Sequence, residues 1–356
     1  MLSESIGARA DRLMQPTSQS TRGFRLLRAD QLEFTPPQWL VRDHIEADSL
    51  ALAFGDPASG KSFYAVSLAC CVATGHRWYG HKVKAGPVVY VAGEGHNGLR
   101  RRMSAWEHEV GASLTDAPLF ISTAPAALCD PASIADVLAA IADVKSQGEP
   151  PALVVIDTVA RNFGPGDENS TRDMGAFIQA ADTIRTQYGC TILLIHHTGH
   201  TDKGRARGAM ALKGALDAEY RLDKDDDGVV RLEATKMKDA SLPGPLAFRL
   251  QGVGLGVFDD EGVEATSAVL ALTEYHPKKP KSGPGKWQVV AIEKLEGLHR
   301  EERENAIESG RDPNVASVPL EAWRAACQDA GMPRQRFSEA KRSPAVRIEH
   351  GFVALS

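Results

Sequence analysis

Hydrophobic and polar positions along the chain follow two alternating rhythms. Short apolar, often β-branched runs occupy residues 50–54, 88–92, 119–122, 153–157, 191–195, 219–222 and 229–234. Between several of them, at 63–74, 134–145 and 174–188, apolar residues recur every three or four positions. Runs of strand length with no polar alternation predict strands buried on both faces, and the intervening 3.6-residue period predicts helices. The two together predict an α/β protein built on a mostly parallel sheet covered by helices on both sides.

The pattern also divides the chain. Residues 1–24 carry Glu4, Arg9, Asp11 and Arg12 with no apolar stretch between them. They read as a polar lead-in, unlike a secretory signal. Residues 25–275 hold the alternating core. Residues 276–286, rich in Pro, Gly and Lys, read as a semi-rigid solvated linker. In the last segment, 287–356, helical patterns at 287–298, 320–331 and 334–340 precede short strands at 346–349 and 352–355. Three helices followed by a β-hairpin is the order of a small winged helix-turn-helix domain. The charge-dense stretch 300–311 reads as a solvated helix or loop, and no internal repeat is visible.

Composition narrows the class. The 356 residues exceed one ordinary domain and suit two; 43% hydrophobic and 24% charged residues exclude a disordered or collagen-like chain. No apolar run approaches the roughly 20 residues of a membrane span. A net charge of −5 gives no global attraction to nucleic acid or acidic membranes, so any such binding rests on local basic patches. Cys70, Cys71, Cys129, Cys190 and Cys327 are odd in number and form no CxxC pair, which suits reduced thiols in a cytoplasmic protein.

The sharpest chemical signal is Gly55-Asp56-Pro57-Ala58-Ser59-Gly60-Lys61-Ser62, a full G-x-x-x-x-G-K-[ST] (Walker A) match. It lies between an apolar strand and a helical pattern, the context a nucleotide-binding P-loop needs. Backbone N–H groups of such a loop converge on the phosphate oxygens of a nucleotide. Lys61 would reach the β and γ phosphates, the Ser62 hydroxyl would ligate Mg²⁺, and the following helix presents its positive end. A second buried strand, 153–156, runs into Asp157, where a P-loop NTPase holds the Mg²⁺ shell; taken alone, Asp157 also reads as a helix cap.

Glu94 follows the strand 88–92 and suits a carboxylate that orients and deprotonates the attacking water, or an ordinary loop acid. His196 and His197 end the strand 191–195, where a donor can touch the γ-phosphate. With His200 nearby they also suggest a metal, although adjacent strand residues face opposite ways and share one ion poorly. A plain polar strand end is the third reading.

In this order the motifs resemble RepA-type hexameric replicative DNA helicases, AAA_25-like relatives of the RecA/DnaB P-loop ATPases. The likeness rests on the P-loop, residues 90–94, 154–158, 189–197 and Arg207-Gly208-Ala209, and covers roughly residues 25–250. It implies a RecA-like core with Glu94 as catalytic glutamate and His197 or His196 as γ-phosphate sensor. It makes Arg207 an arginine finger entering a neighbour's ATP site, with Lys236 and Lys238 a basic pair reaching a neighbour's phosphate. A guanidinium supplied in trans is worth roughly 10³–10⁵ in rate in GTPases, and a head-to-tail interface that closes makes a ring. The loops 162–172 and 198–206 would face a central channel. Lys203 and Arg205 of the second are the better grip on single-stranded DNA, because Asp167 and Glu168 oppose it in the first.

In the last segment Arg334 and Arg336, with Lys341 and Arg342, crowd one short helix. As the second helix of a helix-turn-helix it would contact DNA; otherwise it is the solvated face of a partner-binding module. The leading expectation is a ring-forming, ATP-dependent DNA helicase translocating on single-stranded DNA in replication of a plasmid- or phage-like element. Its partners would be further copies of itself in a hexamer and a replication initiator or primase. The alternatives are an ATP-switched DNA-binding regulator without unwinding activity and a recombinase-like filament former.

Overall fold

The computed structural model describes residues 26–32, 36–93, 95–199, 210–275, 285–313, 317–343 and 345–355. Contacts divide the chain into one unit up to Tyr275 and another from His276.

The first unit opens with a small hairpin, β1 (Trp39–Val41) and β2 (Ile45–Glu46). Strand β3 (Leu50–Gly55) follows and feeds helix α1 (Lys61–Thr74). Then come β4 (Val88–Ala92), α2 (His96–Val110), β5 (Leu119–Ile121), α3 (Pro131–Ser146) and β6 (Leu153–Asp157). The short α4 (Val159–Asn162) and the long α5 (Thr171–Tyr188) lead to β7 (Thr191–His197). Helix α6 (Met210–Ala215) precedes β8 (Ala218–Lys224), β9 (Val229–Met237), β10 (Leu246–Phe258) and β11 (Glu264–Leu272).

Nine of these strands form one sheet, in the order β11-β10-β9-β8-β3-β7-β6-β4-β5. From β8 to β5 every pairing is parallel, while β9, β10 and β11 are added antiparallel. The mixed α/β architecture with a large, mostly parallel central sheet is the one expected, and it is consistent with a RecA-like P-loop core. All six residues of β3 are buried, as a strand covered on both faces must be.

Alternate residues of the central strands face two cores. Ala51, Ala53, Tyr90, Val155, Leu193 and Ile195 pack with α1 and α2. Leu50, Leu52, Phe54, Ile156, Ile192 and Leu194 pack with α3, α5 and α6. Helix α1 is buried from Tyr64 to Ala73 and ends at Gly75 in the left-handed conformation (φ 75°). Burial pushes the Cys71 and Cys190 thiols up to about 12, so they pack as neutral side chains.

The second unit contains α7 (Lys286–Glu308), β12 (Val318–Pro319), α8 (Leu320–Asp329), α9 (Arg334–Ala340), β13 (Val346–Glu349) and β14 (Phe352–Leu355). Its three strands pair antiparallel in the order β12-β14-β13. Trp323 is fully buried, donates its indole N–H to the Ala291 carbonyl at 2.7 Å and meets Phe337 edge-on at 4.8 Å. The charge-dense stretch is helical to Glu308.

Among the described residues, no helix is long and apolar enough to cross a membrane.

Candidate functional site

The site lies where the carboxyl ends of β3, β7, β6 and β4 come together. In register, Gly55 of β3 stands beside His197 of β7, and Asp157 of β6 stands between Ile195 of β7 and Ala92 of β4. This is the crevice at strand ends where α/β sheets bind ligands.

The loop from Gly55 to Lys61 needs its small residues. A Cβ on Gly55 would come within 2.2 Å of the Leu222 carbonyl oxygen. Ala58 and Gly60 adopt positive φ (62° and 92°), and Gly60 caps α1 in the left-handed conformation. Lys61 is only 6% exposed, and its ammonium donates to the carbonyls of Gly55 at 2.9 Å and Asp56 at 2.8 Å. A cation held by two carbonyl dipoles has partners that phosphate oxygens can replace. Half-buried Ser62 sits in the first turn of α1.

The face on which each residue lies follows from strand alternation. Asp157 shares the row of Ala53, Ile195 and Ala92, which belong to the core packed on α1. Its carboxylate accepts the Tyr90 hydroxyl at 2.6 Å. Burial, and next the charge on Asp157, push Tyr90 well above the usual phenol range, so it is a neutral donor. Of the histidines, His197 shares the α1 side with Ile195, whereas His196 alternates with Ile195 and faces the other core, 0% exposed. By strand alternation the two rings leave opposite faces of the sheet, so His197 and not His196 stands on the side of Asp157; among the described residues no group of three metal-ligating side chains comes together.

Glu94 lies outside the described residues. Its neighbour Gly93 donates its N–H to the Asp157 carbonyl at 2.6 Å and approaches Arg161 so closely that a Cβ would stand 2.3 Å from the arginine Cβ. Lys203, Arg205, Arg207 and His200 also lie outside the described residues.

The expected channel loop at 162–172 begins differently. Asn162 is fully buried, accepting from the Ala126 N–H at 2.8 Å and donating to the Thr158 carbonyl at 2.9 Å. Phe163 packs in the core, Ser170 caps α5, and Asp167 takes the N–H of Asn169 at 2.9 Å. These residues pin β6 to the next helix. The second expected loop likewise starts pinned: buried Thr198 donates its N–H to the Gly55 carbonyl at 3.2 Å and its hydroxyl to the Asp56 carboxylate.

Lys236 and Lys238 do not join their own P-loop. Lys236 pairs in register with Glu219, and Ala218 pairs with Ala51, so both lysines lie toward the amino end of β3. Lys236 donates to the Lys213 carbonyl at 2.7 Å, and the Lys238 ammonium is 3.5 Å from Asp217. In the second unit Arg334 and Arg336 are exposed on α9, with Arg336 paired to Glu339 at 2.8 Å.

Sequence reasoning missed Tyr90 and Thr198. The strand position of Tyr90, two residues before Ala92, and the place of Thr198 directly after the histidines were the available signals.

The site fits a nucleotide with a hard cation: a backbone cradle closed to larger side chains, one buried lysine, and hydroxyl and carboxylate oxygens on one face. In comparison with known proteins, a family model described as AAA domain (AAA_25) matches residues 16–203, just over half of the chain. No curated protein matches it.

Proposed function

The chain belongs to the AAA_25 family of AAA domains, a P-loop ATPase family that binds nucleotide, and from that premise we propose that it is a ring-forming, ATP-dependent DNA helicase. The observation that carries the hydrolytic part is the convergence of Gly55, Asp157 and His197 at neighbouring strand ends, with Asp157 and His197 on the side of α1.

In this reading Lys61 leaves the Gly55 and Asp56 carbonyls for the β and γ phosphates, and the loop N–H groups with the α1 terminus hold the remaining oxygens. Ser62 and Asp157 would hold Mg²⁺, which when bound offsets charge on the transferring phosphoryl group. Tyr90 keeps the Asp157 carboxylate aimed at that position. Glu94 takes the proton of the attacking water, and His197 meets the γ-phosphate from β7.

Arg207 completes the site of an adjoining subunit, and Lys236 and Lys238, remote from their own P-loop, serve a neighbour's phosphate. Lys203 and Arg205 hold single-stranded DNA through its phosphates. The second unit, with its helices followed by the β13–β14 hairpin, is read as a winged-helix-like module that offers Arg334 and Arg336 to DNA. The order of these residues along the chain supports the helicase reading over other uses of the same ATPase core.

The test is ATP hydrolysis with and without single-stranded DNA, alongside displacement of a labelled strand. Strong stimulation and displacement, both lost in Lys61→Ala, are expected. Slow, unstimulated hydrolysis with no displacement would replace the helicase by an ATP-switched regulator.

A further inference from the structure

An acid inside an anion-binding loop is a liability. The G-x-x-x-x-G-K-[ST] pattern leaves its second position open, and here that position is Asp56. A carboxylate there competes with phosphate for the same N–H donors and repels a triphosphate by charge. The structure turns this carboxylate to the tip of β7, where the Thr198 hydroxyl donates to it. The guanidinium of Arg221 in β8, one register position from Leu222 beside Gly55, is paired with Asp223 and adds only a weaker, longer-range attraction for it. Thr198 is itself fixed: it is 8% exposed, and its N–H donates to the Gly55 carbonyl at 3.2 Å. One residue therefore grips both the first and the second positions of the loop.

We propose that Thr198 is a positioning residue for the nucleotide site, holding the Asp56 carboxylate out of the phosphate cradle so that the loop offers a triphosphate only donors. It acts through Asp56 and need not touch the nucleotide. This rests on the P-loop binding nucleotide. Residue 198 thereby acquires a role in affinity that the motif pattern does not assign.

The experiment is titration of the full chain with a fluorescent, non-hydrolysable ATP analogue and Mg²⁺. Thr198→Val, which removes the hydroxyl at constant shape, is expected to weaken binding about tenfold, the effect of one misplaced like charge at short range. Thr198→Ser is expected to restore it. In the D56N background T198V is expected to change affinity less than about twofold, because no carboxylate remains to be held. Equal loss in both backgrounds, no loss in T198V, or a tenfold loss in D56N alone each overturns the proposal. If T198V does not melt like the wild type, T198A in the same two backgrounds gives the same comparison. Lys61→Ala separates the two levels: if that variant binds the analogue like the wild type, the nucleotide site itself is misassigned, whatever Thr198 does.

Discussion

The Tyr90 hydroxyl donates to the Asp157 carboxylate at 2.6 Å across the β4–β6 pairing, in a position closed to solvent. Tyr90→Phe leaves a buried carboxylate oxygen without that donor. A hydrogen bond to a charged group is worth about 1.5–3 kcal/mol, so a stability loss of about 2 kcal/mol is expected in chemical denaturation. Hydrolysis by the same variant should need more Mg²⁺ for half-maximal rate, because the carboxylate loses the group that aims it. An unchanged Mg²⁺ requirement would limit Tyr90 to a structural role.

Lys61→Ala removes the only cation the described P-loop residues supply. Loss of one preorganised donor at a developing charge costs about 10²–10³ in rate. Steady-state hydrolysis should fall by at least that much, with the melting temperature near that of the wild type. Retained hydrolysis would place the reaction elsewhere.

The His44 imidazole is 4% exposed, and its Nε2 lies 3.2 Å from that of His81. Burial first, and His81 next, hold its pKa down to about 4, against a smaller raising influence from Asp43. The folded form therefore binds fewer protons than the unfolded chain between pH 6.5 and about 4. Stability from this site is present above pH 6.5 and is lost as the pH falls toward 4. Thermal melts from pH 7 to 4.5 should drop more steeply in the wild type than in His44→Phe; parallel profiles would contradict this.

Trp323 anchors the core of the second unit with a ring contact and an N–H bond. Trp323→Ala should cost about 3–5 kcal/mol. Calorimetry of the full chain should show loss of one transition with the transition of the ATPase unit intact. A uniform shift of the whole profile would instead mean that the two units unfold together.

Much of the ATPase unit was legible because burial on both faces leaves a continuous apolar run: residues 50–54, 88–92 and 153–157 became β3, β4 and β6 within a residue. Strand β10 was hidden because Gly252, Gly254 and Gly256 interrupt its pattern; at Gly254 a Cβ would lie 2.5 Å from the Glu264 carboxylate. Helix α2 was hidden by Arg100, Arg101 and Arg102, which ride on a narrow apolar edge of Leu99, Met103 and Trp106. At the site, the P-loop and Asp157 could be named from local pattern, since backbone geometry dictates them. Which histidine stands on the α1 side of the sheet depends on a strand's parity, and the Asp56–Thr198 contact spans 142 positions, so neither is written in any short motif.

The antiparallel flank has a mechanical consequence. The position a Cβ would take at Gly60 lies 3.4 Å from Val230 of β9 and 3.6 Å from Leu270 of β11. The far edge of the sheet thus acts as a backstop for the turn that enters α1. Any residue with a side chain at position 60 would press on that edge, so the turn before Lys61 and the antiparallel flank restrict each other.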